Sequence, residues 1–300
     1  MVSKTIKNAI SVAFKTEKKF KTLKCHPKQN KTRKKKGTSC LNKSVLISMK
    51  NMWNKRYPDS RIKGDDSGKI KKQLKMKLKD TCYNEMCWID KTYNSDIKNN
   101  IKKNLFAPKT PESWKRNINE WLSSSDILNV MNQYEEAYMN FKFFGPAPID
   151  FDSEMYNNKC VWPEICNLNM KELIDNGIDN IGFIFNTDKH YQSGSHWIAL
   201  YVDLNRKVIF FFDSNGTPQT GEISRLIQRI KTQCLSLKIK LKEMNNHGFT
   251  HQYSNTECGM YCLFFIVSIL TRKHSFNFFK SKRIPDKKVE EFRNIYFNMI

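Results

Sequence analysis

The sequence predicts an α/β (α+β) protein in which a central sheet packs against a buried helix, with a basic, partly helical N-terminal extension in front. Three observations carry this expectation. Between residues 178 and 214, the strand-like runs "IDNIGFIFNTD", "SHWIALYVDL" and "KVIFFFDS" follow one another with turn signals between them. "CGMYCLFFIVSIL", from Cys258 to Leu270, is apolar all round, too short to span a bilayer and suited to a helix inside a core. The charge is lopsided: residues 1–80 hold 25 Lys/Arg against 5 Asp/Glu, and so carry nearly all of the net +23.

Three hundred residues with 39% hydrophobic and 12% aromatic content suffice for one sizeable core and an appendage. Residues 1–45, with the cluster "KTRKKKG", read as a basic, mostly disordered arm. Residues 46–105 mix the helical patterns "VLISMKNMWNKRY" and "KIKKQLKMKLKDTCYNEM" with the polar break "PDSRIKGDDSGK", as in a small helical subdomain. Residues 106–300 form the main domain. In it, Trp114, Ile118, Trp121, Leu122, Ile127, Leu128, Val130 and Met131 recur at helical spacing, with Ser125 as N-cap. "FFGPAPIDFD" reads as a loop, and "EISRLIQRIKTQCLSL" returns to helical period.

Nine cysteines without a regular framework cannot all pair within one chain, which predicts free thiols in a reducing compartment. No apolar run reaches the ~18 residues of a membrane span, and the N-terminus lacks a signal-peptide core. A soluble intracellular chain with no membrane partner is expected. Cys82 and Cys87 have no second pair at ligand spacing, so no metal site is expected. His247 and His251 read as polar loop residues, and "GDDSGK" lacks phosphate-loop spacing.

"SHWIALYVDLNRKVIFFFDSNG" reads as a hairpin. A two-residue loop at Leu204 and Asn205 sets His196 opposite Asp213, where cross-strand Cβ atoms lie roughly 4.5–5.5 Å apart. Moving the loop to Asn205 and Arg206 sets His196 opposite Asn215 instead, on the same strand face. Both faces of the pair are apolar: Ile198, Leu200, Val202, Ile209 and Phe211 on one, Trp197, Ala199, Tyr201, Val208, Phe210 and Phe212 on the other. Such a pair is central and covered on both sides.

Ser254 and Glu257 have capping-box spacing, with Asn255 as an alternative N-cap, so Cys258 falls in the first turn of the apolar helix. A thiolate there gains from the helix dipole, which predicts a lowered thiol pKa. Cys262, one turn deeper, reads as a core thiol. Gln252, six residues before Cys258, can turn its amide back toward a carbonyl under attack and form an oxyanion hole with the Cys258 backbone N–H.

Taken together, "SHWIALYVDL", "FFDSNG" and "HQYSNTECGMYC" resemble the cysteine proteases of the adenain and ubiquitin-like-protein protease group, clan CE. The shared pattern is His196-Trp197, Asp213-Ser214, Gln252 and Cys258-Gly259-Met260, with a His-to-Asp interval like that of the SUMO-protease branch. "NEWLSSSDILNVMNQY" is similar to that group's "WLND" helix, with Trp121 at the matching position and Ser123 and Ser124 where Asn and Asp are common. The resemblance covers roughly residues 111–272. It implies a papain-like core in circularly permuted order with a central mixed sheet and a buried nucleophile helix. Cys258 would be nucleophile, His196 general base and acid, Asp213 (Asn215 as alternative) the residue orienting His196, and Gln252 the oxyanion donor. Trp197, Trp121 and Gly259 would bind substrate, with the two indoles closing a tunnel for small residues, and neither metal nor organic cofactor is implied.

Within that group the short chain, its Lys, Asn and Ile bias and its basic extension point to the virus-encoded maturation enzymes. The expected activity is a thiol endopeptidase cutting virion structural or core precursors at Gly-Gly-X or Gly-X sites, in the host cytoplasm's viral factories and in the virion. The alternatives are an isopeptidase for SUMO or another ubiquitin-like protein, and an idle basic packaging protein on a protease fold. Residues 1–80 would bind DNA or another polyanion non-specifically through counterion release; the competing reading of "KTRKKK" is a nuclear-localisation signal.

Overall fold

The computed structural model describes residues 20–31, 39–155 and 159–300. The remainder of the basic arm, "KTRKKKG" included except for Lys31, lies outside them. The described residues form two compact units. One is Leu41–Lys102 with residues 20–23; the other is Lys103–Ile300 with the described part of Lys24–Cys40.

In the first unit, helices Lys43–Arg56, Ser67–Lys77 and Glu85–Thr92 start at Asn42, Asp66 and Asn84, whose side chains each accept the backbone N–H three residues on. Leu46, Met49, Ile70 and Leu74 are buried.

The second unit is built on a mixed five-stranded sheet. Its strands are β1 (Phe141–Pro148), β4 (Asn180–Asn186), β5 (Trp197–Asp203), β6 (Val208–Phe212) and β7 (Lys242–Asn245), in that spatial order. A separate two-residue pair, β2 (Glu154–Met155) and β3 (Lys159–Cys160), lies between β1 and β4 in sequence. The edge pairs β1/β4 and β6/β7 are parallel, whereas β4/β5 and β5/β6 are antiparallel. Both faces are covered, and the two side-chain sets read from the hairpin separate as expected. Ala199, Tyr201, Phe210 and Phe212 pack with the apolar helix Cys258–Leu270, and Leu200, Val202, Ile209 and Phe211 with Ile223, Leu226, Ile227 and Ile230 of helix Gly221–Ser236.

Several expectations are corrected. The stretch "FFGPAP" belongs to β1 and is not a loop. Pro146 and Pro148 are tolerated because β1 is an edge strand, where a missing N–H removes no second ladder. The N-cap of helix Ser124–Ala137 is Ser123, not Ser125; Ser123 and Asp126 form a reciprocal capping box, which leaves Trp121 on the loop before the helix. Within the arm expected to be disordered, residues 20–31 and 39–45 are ordered. His26 is buried and its N–H donates to the Leu105 carbonyl at 2.9 Å, while the Lys24 carbonyl accepts the Ala107 N–H at 3.0 Å.

Six cysteines are paired, as Cys25–Cys40, Cys82–Cys87 and Cys160–Cys166, so only Cys234, Cys258 and Cys262 remain free thiols. The irregular spacing concealed this because folding, not sequence periodicity, brings each pair to Cα separations of 5.2–6.5 Å. No helix among the described residues is long and apolar enough to cross a membrane.

Candidate active site

The second unit brings one end of the β5/β6 pair to the start of the apolar helix. His196 immediately precedes β5, and Asp213 immediately follows β6. The register differs from the first expectation: Asp203 pairs with Val208 around a four-residue turn, and Ala199 with Phe212. Continued outward, this register sets Asn215, not Asp213, opposite His196. Yet His196 Nε2 bonds Asp213 Oδ1 at 2.6 Å, while Asn215 Nδ2 stands 3.5 Å from the same nitrogen. Both candidates share a strand face, and a diagonal partner two residues away is within reach of a long side chain.

Asp213 is fully buried and its surroundings fix it. Its Oδ1 also accepts Asn215 N–H at 3.0 Å, and its Oδ2 accepts the Thr217 hydroxyl and backbone N–H. Asn246, one residue past β7, receives the Asp213 N–H on its Oδ1 at 3.0 Å and donates to the Asp213 carbonyl at 2.6 Å. The turn after Asp213 requires Gly216: its φ is +73°, and a Cβ there would lie 2.8 Å from Phe249 backbone. Burial disfavours the His196 imidazolium, but the hydrogen bonds to Asp213 and Cys258, with the charge on both, outweigh it and raise His196 to about 9.

Cys258 is the first residue of its helix. The expected capping box is not formed: Glu257 occupies the N-cap position with no side-chain cap, its carboxylate turned inward onto Arg293. A missing cap costs about 0.5–2 kcal/mol. All thirteen residues of the helix are buried, and each large apolar side chain among them contributes about 1.5–3 kcal/mol, so packing holds this helix in place. Cys262 is wholly buried, and desolvation pushes its thiol well above the ordinary range.

Gln252 N–H and His251 N–H both donate to the Ser214 carbonyl, at 2.9 and 2.8 Å, which ties the loop before Cys258 to the end of β6. The Gln252 side chain is oriented at both ends: Oε1 accepts the Ser214 hydroxyl at 2.7 Å, and Nε2 donates to the Ser254 carbonyl at 2.6 Å. His251 is buried, not a solvated loop residue; its Nε2 bonds the Phe279 carbonyl at 2.8 Å, and burial lowers its pKa. Asp286 receives Tyr253 and Ser254 N–H and the Tyr261 hydroxyl, bracing the same loop from the other side.

His196, Gln252, Cys258, Asn215 and Trp121 line one cleft. Trp121 also lines a longer groove with Trp197, Pro146, Pro148, Val161 and His190, so its half-exposed ring stands where the two meet. Trp197 is mostly buried, and its Nε1 donates to the Leu122 carbonyl at 3.0 Å. Gly259 is buried beneath these residues: an added Cβ would come within 3.1 Å of Leu122 and 3.2 Å of Trp197. It shapes the wall from below. Asn246, Asp286 and Arg293 carry no signal in the sequence, and Glu257 reads there only as a capping residue, since nothing in the chain separates Asn246 from Asn245 or marks Arg293 as a partner for residue 257.

The sequence profile of the Ulp1 protease family, C-terminal catalytic domain, matches residues 125–300. The chain belongs to the Ulp1 protease family. It is accordingly a cysteine peptidase of the clan CE type. A relative from Acanthamoeba polyphaga mimivirus, named as a thiol protease, is 29% identical over 282 residues, covering 88% of this chain and 90% of its own length. A cysteine protease of African swine fever virus is 28% identical over 253 residues, 78% of this chain and 90% of its own. The crystal structure of the African swine fever virus pS273R protease superposes with a TM-score of 0.63 at 21% identity, over 93% of this chain and 97% of that one, which shows a shared fold.

Proposed function

We propose that this protein is a thiol endopeptidase that cleaves viral structural or core protein precursors after small residues, at Gly-Gly-X or Gly-X sites, during virion maturation. The observation that carries the reading is the 2.6 Å hydrogen bond of His196 to the buried Asp213, in a cleft that His196 shares with Cys258 and that Trp121 overlooks. With His196 raised to about 9, its imidazole carries a proton at neutral pH that it can donate. Cys258 Sγ attacks the scissile carbonyl carbon. The oxyanion receives the Cys258 backbone N–H and the second N–H of the Gln252 amide, whose first is held by Ser254. His196 gives its proton to the leaving amine as the C–N bond breaks, which leaves a thioester. Water then attacks with His196 taking its proton, and the C–S bond breaks, releasing the acid, freeing the Cys258 sulfur and leaving His196 protonated as at the start. Asp213 keeps the imidazole in orientation throughout.

Relatives in mimivirus and African swine fever virus support a viral source, and with it work in viral factories and the virion. A second reading, removal of SUMO or a similar modifier, is favoured by a relative named SUMO-1 cysteine protease, 34% identical over 123 residues. Polyanion binding belongs to residues 1–80, whose +20 charge would hold the enzyme beside packaged DNA. The deciding experiment incubates the protein and its Cys258→Ser variant with Gly-Gly-X and Gly-Ala-X peptide libraries and with ubiquitin-like probes. Cleavage of the peptides by the wild type alone supports precursor processing. Cleavage of only the modifier probes replaces it with the second reading, and no cleavage of either defeats both.

A further inference from the structure

Arg293 is almost completely buried near the end of the chain, and its guanidinium joins two segments that meet at the cleft. Its Nε and Nη2 donate to Glu257 at 3.2 and 2.9 Å, as a fork on one carboxylate. The same Nη2 donates to the Glu120 carbonyl at 2.8 Å. The guanidinium carbon lies 4.5 Å from the Trp114 ring centre, a stacking that holds the plane of the fork. Glu257 is bonded directly to Cys258, and Glu120 directly to Trp121. On the far side of Trp121, the Leu122 carbonyl is held by Trp197. The half-exposed indole is thus suspended between two fixed carbonyls, one of them fixed by the arginine that also holds the residue before the thiol.

Resting on the reading of Cys258 as nucleophile, we propose that Arg293 is a positioning residue that sets the separation of Trp121 from Cys258, and so the size of residue accepted before the scissile bond. A buried ion pair of this kind is weak evidence of added stability, because replacing both charges together is often neutral. A reason to keep it is geometry. The planar fork reaches the carboxylate and the carbonyl at once, which the single ammonium of a lysine does not do.

The test compares wild type with Arg293→Lys, which keeps the charge and loses the fork, and with the double variant Glu257→Gln/Arg293→Met, which leaves no unpaired buried charge. Two peptides differ only by Gly or Ala before the scissile bond; one such methyl group is worth about 10–200-fold in selectivity. In both variants the Gly-over-Ala ratio of kcat/KM is expected to fall by about tenfold, with thermal melting of the double variant close to wild type. A variant that folds, cleaves the Gly peptide and keeps the wild-type ratio overturns the proposal. A readout independent of cleavage is the fluorine resonance of 5-fluorotryptophan at Trp121, assigned with Trp121→Phe. It is expected to shift or broaden in Arg293→Lys, and an unchanged line refutes the role of Arg293. If wild type cleaves neither peptide, the reading of the active site fails, and the fluorine resonance alone decides whether Arg293 fixes Trp121.

Discussion

His196 Nε2 lies 2.6 Å from Asp213 Oδ1, although the ladder of β5 and β6 points Asn215 at His196. The short contact is diagonal, and it is made possible because the ladder stops at Phe212 and the Asp213 backbone is held instead by Asn246, which accepts its N–H and donates to its carbonyl.

Substituting Asp213 by Asn is therefore expected to lower kcat by about a hundredfold to ten-thousandfold, as when a buried carboxylate that orients a catalytic imidazole is lost. Asn215→Ala is expected to cost less than about tenfold. Steady-state kinetics on one peptide substrate compares them, and a larger loss for Asn215→Ala would reassign the partner of His196.

Activity is expected to hold through neutral pH and decline above about 9, as the raised His196 loses its proton and the leaving amine its donor. Stability follows the same group. Its folded-state pKa of about 9 lies above the ordinary 6.5, so its contribution is complete below pH 6.5 and disappears as pH rises through 9. At about 1.4 kcal/mol per pH unit, the loss over that window is at most about 3.5 kcal/mol. Urea melts at pH 6 and 9.5 measure it, and His196→Gln should remove the His196 share of the difference.

Gln252→Ala is expected to reduce kcat by about a hundredfold to a thousandfold through loss of an oxyanion donor. It also strips the Ser214 hydroxyl and Ser254 carbonyl of a partner, with a stability cost of about 1–3 kcal/mol. Measuring kcat at a temperature well below the variant's melting point separates the two effects. A near-wild-type kcat there removes Gln252 from the chemistry.

Gly259→Ala places a methyl group 3.1 Å from Leu122 and 3.2 Å from Trp197, both on well-packed side chains. Overpacking of this kind typically costs about 1–3 kcal/mol. The expected result is a lower melting temperature together with a raised KM, because the displaced residues support Trp121 and the groove wall. Unchanged KM and melting would show that the wall yields freely.

What the sequence made legible was what repeats or what sits close along the chain. Alternation along residues 197–212 named both buried faces of the sheet, and the fixed interval between Gln252 and Cys258 brought those residues to one cleft. The turn between β5 and β6 was misjudged because Leu204–Lys207 has no dipeptide that dictates a two-residue loop. Glu257 shows the other limit. Capping-box spacing with Ser254 is a local signal, but a buried arginine 36 residues away offers the carboxylate a partner that local spacing cannot reveal.

The covering of β5 and β6 on both faces sets apart the two halves of the cleft in time as well as in space. His196 is rooted in a hairpin whose amides open only when most of the core opens with them, whereas residues 253–256 belong to no ladder, and Tyr253 and Ser254 are held by bonds to the side chains of Asp286 and Gln252. Hydrogen exchange is then expected to be slowest across residues 198–211 and orders of magnitude faster between Tyr253 and Thr256. The imidazole is the stationary reference, and whatever adjustment a peptide demands falls on the strand of chain that leads to the thiol.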